Sequence, residues 1–318
     1  MNYIDLFAGA GGLSEGFIQA GYKPIAHVEM DKAACYTLKT RIAYNYLKSN
    51  NQSDIYYTYQ KGEITRAELY EHIPAQLLKS VINLPIGPEN NETIFNQISE
   101  QLNGDEVDLI IGGPPCQAYS LVGRARSADG MKSDPRNHLY IEYAAFLEKY
   151  KPRLFVFENV LGLKSAKDGG YLASMEELFL EKGYSMRLYT LSANNFGVLQ
   201  NRKRIIILGY REDINIELPD LEAIRIPCDY KVESLFSDLP PINAGEGKDK
   251  FVRYISDTNE YLNQTSIRNG ADILTQHIAR PHSEQDKRIY RIAVRKWDNK
   301  NQRLDYNDLP EFLKTHKN

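Results

Sequence analysis

Cys116 is the residue best placed to act as a nucleophile. It follows Gly-Gly-Pro-Pro at the end of an apolar run over residues 107–111, which is typical of a buried parallel strand. The two prolines exclude helix and stiffen the turn. Because ligands bind at the carboxyl ends of strands in open α/β sheets, a thiol on this turn is placed for covalent chemistry. A buried structural thiol is the alternative interpretation.

Glu158 is a second reactive group at a predicted strand end. It follows the apolar run over residues 153–157. Since parallel strands end at the same edge of a sheet, we expect Glu158 to lie near Cys116. A solvated glutamate at a strand end is the alternative, but two reactive groups at one edge favour a functional site.

A glycine-rich turn over residues 8–12 links a predicted strand, residues 2–7, to a predicted helix, residues 13–20. Glycines let backbone N–H groups approach a ligand at the start of a helix. Glu29 ends the next strand about twenty residues later, where a carboxylate can accept hydrogen bonds from both ribose hydroxyls. The glycines depart from G-x-G-x-x-G, so the turn favours an adenosine ligand other than a nicotinamide dinucleotide.

Strands and helices alternate to about residue 210, which predicts an α/β fold with a doubly wound, mainly parallel sheet. A further strand is expected over residues 56–59, ending near Glu63. Prolines and polar residues dominate from residue 211 onward. We therefore expect a catalytic, cofactor-binding domain over residues 1–215 and a linker with a partial smaller C-terminal domain over residues 216–318.

Composition limits the class of protein. The 318 residues carry a net charge of −3, with 42% hydrophobic and 25% charged residues, as in soluble globular proteins. Three widely spaced cysteines, the absence of a signal peptide and the absence of a long apolar segment predict a cytoplasmic protein with reduced thiols, no membrane span and no metal site. Local basic clusters keep a nucleic-acid partner open. One of them comprises Lys287, Arg288, Arg291, Arg295 and Lys296.

Four motifs follow one another along the chain: Asp5-Leu6-Phe7-Ala8-Gly9-Ala10-Gly11-Gly12-Leu13-Ser14, Gly113-Pro114-Pro115-Cys116-Gln117, Glu158-Asn159-Val160 and Gln200-x-Arg202-x-Arg204. Together they resemble the cytosine-C5 DNA methyltransferase family of bacterial modification enzymes. The resemblance covers residues 1 to about 210 and continues weakly over residues 232–241, where the variable target-recognition region of the family usually begins. It implies that residues 216–318 hold a linker and part of that region. It implies a Rossmann-like, S-adenosylmethionine-dependent enzyme that methylates a specific duplex DNA sequence, with a cognate restriction endonuclease in the same system.

The resemblance implies which residues hold the cofactor. Glu29 would bind the ribose, and Met30 would pack on the adenine. Glu63, in Gly-Glu-Ile where the family commonly has Gly-Asp-Ile, would receive the adenine amino group. Leu139, in a motif that begins at Asp134, would lie against the adenine. The other cofactor residues implied are Pro114 and, at the methionine end, Phe7, Gly9, Gly11 and Gly12.

The resemblance also implies catalytic roles. The Cys116 thiolate would add to C6 of cytosine and so activate C5, which is otherwise a poor nucleophile. Glu158 would hydrogen-bond N3, Arg204 would contact the base carbonyl oxygen, and Arg202 would contact a nearby phosphate or the adduct. A base inside a duplex cannot be reached in this way, so it must flip out, and the loop over residues 117–136 would close over it.

The chain departs from the family at its C-terminal end. The family's closing motifs, one of them similar to Gln-x-x-Gly-Asn-(Ala/Ser)-Val-Pro, are not found before Asn318. This predicts either one half of a split enzyme, whose partner polypeptide supplies the rest, or a truncated product. The rival functions are a tRNA cytosine-C5 methyltransferase, a non-catalytic cofactor-binding subunit and a nicotinamide-dependent oxidoreductase.

Overall fold

A computed structural model describes residues 1–115, 139–247, 251–268 and 272–314. Cys116 and the loop over residues 117–136 lie outside the described residues. The strands are β1 (Asn2–Leu6), β2 (Lys23–Val28), β3 (Val81–Ile82), β4 (Leu109–Gly112), β5 (Leu154–Asn159), β6 (Tyr184–Ser192) and β7 (Lys203–Arg211). The helices are α1 (Gly12–Gln19), α2 (Lys32–Ser49), α3 (Ser53–Gln60), α4 (Arg66–Glu71), α5 (Ala75–Lys79), α6 (Asn91–Leu102), α7 (Leu139–Tyr150), α8 (Gly170–Glu181), α9 (Val232–Phe236), α10 (Glu260–Gln264) and α11 (Glu284–Lys300).

The strands form one sheet in the order β3-β2-β1-β4-β5-β7-β6. Neighbouring strands from β3 to β5 run parallel, whereas β7 is antiparallel to both β5 and β6. The mainly parallel, doubly wound α/β sheet expected from the sequence is therefore confirmed. Within the described ranges, no helix is long and apolar enough to span a bilayer.

Both faces of the sheet bury apolar side chains, as expected of parallel strands covered by helices. Ile4 and Ile110 belong to the largest buried cluster, which includes residues of α6, α7 and α8. Tyr3 and Ile111 alternate with them along the same strands and pack with Phe17 of α1. This layering holds the strand ends at fixed positions relative to one another.

The expected strand over residues 56–59 is wrong, because this segment lies in α3. Its tyrosines have strand propensity, but packing decides such a case. The Tyr56 ring lies 4.8 Å from the Tyr44 ring of α2. The edge strand beside β2 is instead β3, whose two residues are too few to give a recognisable pattern in the sequence.

The chain forms two compact units. One comprises Met1–Tyr56 and Ile64–Val232 and contains the sheet. The other comprises Tyr57–Glu63 and Glu233–Asn318. The division therefore falls later than the expected boundary between residues 215 and 216, and it places the short segment ending at Glu63 with the second unit.

Candidate active site

The carboxyl ends of four neighbouring strands lie side by side in the first unit. Leu6 at the end of β1 pairs with Val28 of β2 and with Gly112 of β4. Gly112 in turn pairs with Phe157 of β5. The residues that come next along these strands are Phe7, Glu29, Gly113 and Glu158. Parallel pairing thus brings together residues that are far apart in sequence, at the edge where α/β sheets bind ligands.

A buried hydrogen-bonded pair fixes β1 against β2 beneath this edge. Asp5 and His27 are paired in the parallel register. His27 Nδ1 lies 3.2 Å from Asp5 Oδ2. Burial raises the pKa of Asp5, and the hydrogen bond and charge of His27 oppose that rise. The pair anchors the two strands from which Phe7 and Glu29 follow.

A cavity of about 330 Å³ opens at the strand ends, within the usual size range of small-molecule sites. Glu29 supplies a carboxylate to a lining that is otherwise largely apolar. Met30 also contributes, although its side chain is 67% exposed. The remaining lining residues are Phe7, Val28, Leu84, Pro85, Ile86, Gly113, Pro115 and Leu139. An apolar cleft with one convergent polar group is the general form of a cofactor site.

Glu29 is held by backbone donors on both sides. The Gly9 amide donates to Oε2 at 2.7 Å, and the Asp31 amide donates to Oε1 at 2.8 Å. Asp31 in turn caps α2 by accepting from the Ala34 amide at 2.7 Å. A carboxylate has about four lone-pair positions, so each oxygen of Glu29 can still accept a hydroxyl donor. The carboxylate is thus oriented before any ligand binds.

Two glycines of the turn after β1 differ in backbone conformation and in the space around them. Gly11 has φ +82°, and a Cβ there would lie 2.9 Å from Leu38 Cδ2, so packing and conformation both demand glycine. A Cβ on Gly12 would meet no atom of the described residues within 4 Å. Since these residues leave the space open, Gly12 suits the close approach of a ligand to the backbone.

Glu158 and Arg204 form an ion pair at the same edge. Arg204 Nε donates to Glu158 Oε1 at 2.8 Å, and both side chains are about three-quarters buried (25% and 28% exposed). Glu158 pairs with Ile206 of antiparallel β7, so Arg204, two residues before Ile206, is its diagonal neighbour on the same face. The guanidinium thereby fixes one carboxylate oxygen, and within the described ranges no hydrogen bond engages the other.

The turn that precedes Cys116 is fixed to β5 by Asn159. Its Nδ2 donates to the Pro114 carbonyl oxygen at 3.3 Å, and the side chain is buried. Gly113 gives Glu158 room, since a Cβ there would lie 2.9 Å from Oε2. Asn159 therefore positions the turn while Glu158 faces the site. Asn159 directly follows Glu158 in the sequence, and this neighbour was the available signal. No role was predicted for Asn159 from it.

The remaining predicted site residues are distributed as follows. Arg202 lies before β7 and is exposed. Glu63 is exposed in the turn after α3, where its amide donates to the Thr58 carbonyl oxygen at 3.1 Å. It follows a helix and not the expected strand, and its cofactor role stays a prediction. Cys116 is not among the described residues, and its role stays a prediction.

Asn83 occupies the position that was expected for Glu63. It directly follows β3, and its Nδ2 donates to the carbonyl oxygens of Glu29 at 3.0 Å and Met30 at 2.9 Å. The next three residues line the cavity. Sequence reasoning missed Asn83 because a strand of two residues carries no periodicity. The Val-Ile-Asn sequence at a strand end was the available signal.

The chain is similar in sequence to a family of DNA methylases. The family model described as C-5 cytosine-specific DNA methylase matches residues 1–73 and 76–316. Type II methyltransferase M.Bpa9945I of Bacillus paralicheniformis is 36% identical over 354 aligned residues, covering 100% of this chain and 79% of the relative. Type II methyltransferase M.DdeI of Desulfomicrobium norvegicum is 33% identical, covering 90% of this chain and 59% of the relative.

A solved structure supports the fold. The crystal structure of a protein described as a prophage-encoded DNA modification methyltransferase from E. coli matches with a TM-score of 0.59. It is 20% identical, and the match covers 90% of this chain and 74% of that one. The shared fold is the methyltransferase form of the doubly wound sheet.

Proposed function

Since the chain belongs to the C-5 cytosine-specific DNA methylase family, the DNA cytosine-5-methyltransferases, we propose that it transfers a methyl group from S-adenosylmethionine to C5 of a cytosine flipped out of duplex DNA. The observation that carries the proposal is the Glu158–Arg204 pair beside Gly113, next to a cavity with a preoriented carboxylate. The pair offers hydrogen bonds to a base, and the cavity fits an adenosine cofactor.

The reaction begins at Cys116 and is supported by Glu158. The Cys116 thiolate forms a bond to C6 of cytosine, and the electron pair of the C5–C6 double bond shifts toward C5 and N3. Arg204 contacts Oε1 of Glu158, so the other carboxylate oxygen, Oε2, holds the proton that is shared with N3. Transfer of the methyl group to C5 would break its bond to the positively charged sulfur of the cofactor. Solvent would then take the C5 proton, and the C5–H electron pair would re-form the C5–C6 double bond as the Cys116 sulfur leaves as a thiolate. The proton at N3 would return to Glu158.

The cofactor is held by groups that the described part of the chain provides. When bound, S-adenosylmethionine supplies a methyl group attached to a positively charged sulfur. The carboxylate oxygens of Glu29 accept hydrogen bonds from the two ribose hydroxyls. Met30 and Leu139 cover the adenine. The side-chain oxygen Oδ1 of Asn83 is suited to accept a hydrogen bond from the adenine amino group. The contacts of this side chain with the carbonyl oxygens of Glu29 and Met30 use only Nδ2.

Substitution of Gly12 tests whether the cofactor approaches the backbone closely. We expect Gly12→Ala to raise the cofactor Kd at least about tenfold, which corresponds to about 1.4 kcal/mol. The fold should be unaffected, since the new Cβ has no neighbour within 4 Å in the described part of the chain. Titration calorimetry with S-adenosylmethionine measures the Kd. Gly16→Ala on α1, which also meets nothing within 4 Å, is the matched control. An unchanged Kd in Gly12→Ala would place the ligand elsewhere.

A second pair of variants decides between Asn83 and Glu63 as the adenine contact. We expect Asn83→Ala to raise the cofactor Kd about tenfold, because it removes a hydrogen bond to the ligand and loosens the Glu29–Met30 backbone. Glu63→Ala should leave the Kd unchanged. The reverse order in the same titration would restore Glu63 to the role first expected of it.

The direct test is transfer of labelled methyl from S-adenosylmethionine to duplex DNA of mixed sequence. The chain is assayed alone and then together with proteins encoded beside its gene. Transfer by the chain alone contradicts the split-enzyme alternative, and transfer only with a neighbour supports it. Label appearing in tRNA in place of duplex DNA would contradict the proposed substrate. A cognate restriction endonuclease, as expected of a modification system, would cut the same sequence when it is unmethylated.

A further inference from the structure

One side chain connects two parts of the wall of the cofactor cavity. Residues 84–86 line the cavity from the segment that follows β3, and Leu139 lines it from the first turn of α7. Oδ1 of Asn91 accepts a hydrogen bond from the Gly87 amide at 3.2 Å, and its Nδ2 donates to Oε2 of Glu142 at 2.7 Å. Since Glu142 lies one turn after Leu139 on α7, Asn91 bridges the end of the first wall segment to the helix that carries the second.

Asn91 is itself fixed in the core. It is the first residue of α6 and is only 8% exposed. The following turns of this helix place Ile94, Phe95 and Ile98 in the largest buried cluster, so α6 cannot shift without disturbing that packing. A buried amide is costly unless its polar atoms are paired, and Asn91 pairs both its oxygen and its nitrogen. The bridge therefore ties the cavity wall to a fixed point of the core.

A short strand leads into the wall segment over residues 84–86. β3 has two residues and pairs with β2 at the edge of the sheet, so sheet pairing ends before the segment begins. Two neighbouring asparagines hold the segment from its other end. Nδ2 of Asn90 donates to the Pro85 carbonyl oxygen at 3.1 Å through an exposed contact, whereas the contact of Asn91 with Gly87 is buried. Because a hydrogen bond is stronger in the low dielectric of the interior, Asn91 holds the segment more firmly.

We infer that Asn91 is a positioning residue for S-adenosylmethionine, which sets the spacing between residues 84–86 and Leu139, an inference that rests on the proposed function. Both parts belong to the apolar lining proposed to hold the adenosine end of the cofactor. An apolar ligand group gains dispersion energy only where the walls touch it, and a gap of about 0.5–1 Å already forfeits a quarter to a half of each contact. Asn91 acts on the ligand through these walls, so it should affect binding and not the chemical step.

Exchange of the two bridging groups tests the inference. Asn91→Asp keeps the oxygen that accepts from Gly87 but replaces the donor with a carboxylate oxygen that repels Glu142. We expect the Kd for S-adenosylmethionine, measured by titration calorimetry, to rise about tenfold. Mildly alkaline buffer keeps the two carboxyl groups from sharing a proton. The double variant Asn91→Asp/Glu142→Gln restores a donor and an acceptor with reversed polarity, so its Kd should return to within about threefold of the wild-type value.

Two single variants and a kinetic measurement separate positioning from general stability. Glu142→Gln alone keeps an acceptor for Asn91 but loses the charge, so the Kd should rise only about twofold. Asn50→Asp at the end of α2 is the matched control, since it removes a comparable Nδ2 contact, 2.8 Å from the Tyr46 carbonyl oxygen, and should leave the Kd unchanged. In methyl transfer to duplex DNA, Asn91→Asp should raise the KM for the cofactor about tenfold and keep kcat at saturation within about twofold.

The outcomes distinguish the inference from the proposed function. An unchanged Kd in Asn91→Asp, or a rise that the double variant does not reverse, would overturn the inference. A lower melting temperature with an unchanged Kd would make Asn91 a purely structural residue. If the Kd values follow the expected order but no methyl group reaches DNA, the proposed function fails and the positioning role stands. Absence of S-adenosylmethionine binding by the wild-type chain would overturn both.

Discussion

Alanine at Cys116 is expected to abolish methyl transfer to duplex DNA, with a loss of at least about 10³-fold in kcat, the scale seen when an enzyme loses its nucleophile. The reason is chemical, since C5 of cytosine cannot attack a methyl donor until a nucleophile has added at C6. The structure adds that the turn before Cys116 is held by the Asn159–Pro114 hydrogen bond at 3.3 Å.

The variant is best compared with Cys228→Ala, which removes a free, partly exposed thiol elsewhere in the chain and should leave kcat unchanged. A covalent trap gives a second readout. In a duplex with 5-fluorocytosine at the target, C5 has no proton to lose, so the Cys116–C6 bond should persist and survive denaturing electrophoresis. A trapped adduct in Cys116→Ala, or methyl transfer at the wild-type rate, would contradict the assignment of the nucleophile.

The sequence predicted the layers of the fold well, for a physical reason. The strands β1, β2, β4 and β5 are short apolar runs closed by glycine, proline or polar residues, so composition alone marks them. Burial is continuous along β4 and along most of β1 and β2, whereas it alternates along β5. The two-residue β3 has no such signal. The tyrosine-rich segment of α3 has the propensity of a strand, and only its packing against α2 makes it a helix.

Contacts within the site were harder to predict than its location. That Glu29, Gly113 and Glu158 share one edge follows from parallel pairing, which the alternation of elements predicts. The ion pair between Glu158 and Arg204 depends on β7 running antiparallel between β5 and β6. No local sequence pattern indicates that β7, the last strand in the chain, lies between β5 and β6 in the sheet. The positions of Asn83 and Asn159 likewise depend on tertiary contacts with carbonyl oxygens.

The Glu158–Arg204 pair leads to the second large prediction. Glu158→Gln keeps an oxygen that can accept from Arg204 Nε, so the local geometry should persist, but the amide cannot exchange a proton with N3. We expect kcat to fall by about 10²–10⁴-fold, the usual contribution of general acid–base catalysis. The cofactor Kd should not change, because Glu158 is not among the described residues that line the cofactor cavity.

Two further variants separate a catalytic role from a structural one. Glu148→Gln breaks a glutamate ion pair of the same 2.8 Å length, with Lys182, on α7. It is expected to keep full activity. Arg204→Lys removes the Nε contact but keeps the charge, so Glu158 is held less precisely and kcat should fall by a smaller factor than in Glu158→Gln. If Glu158→Gln instead lowered the free energy of unfolding and left kcat intact, Glu158 would be a structural residue. The reaction would then need another group to hold the N3 proton.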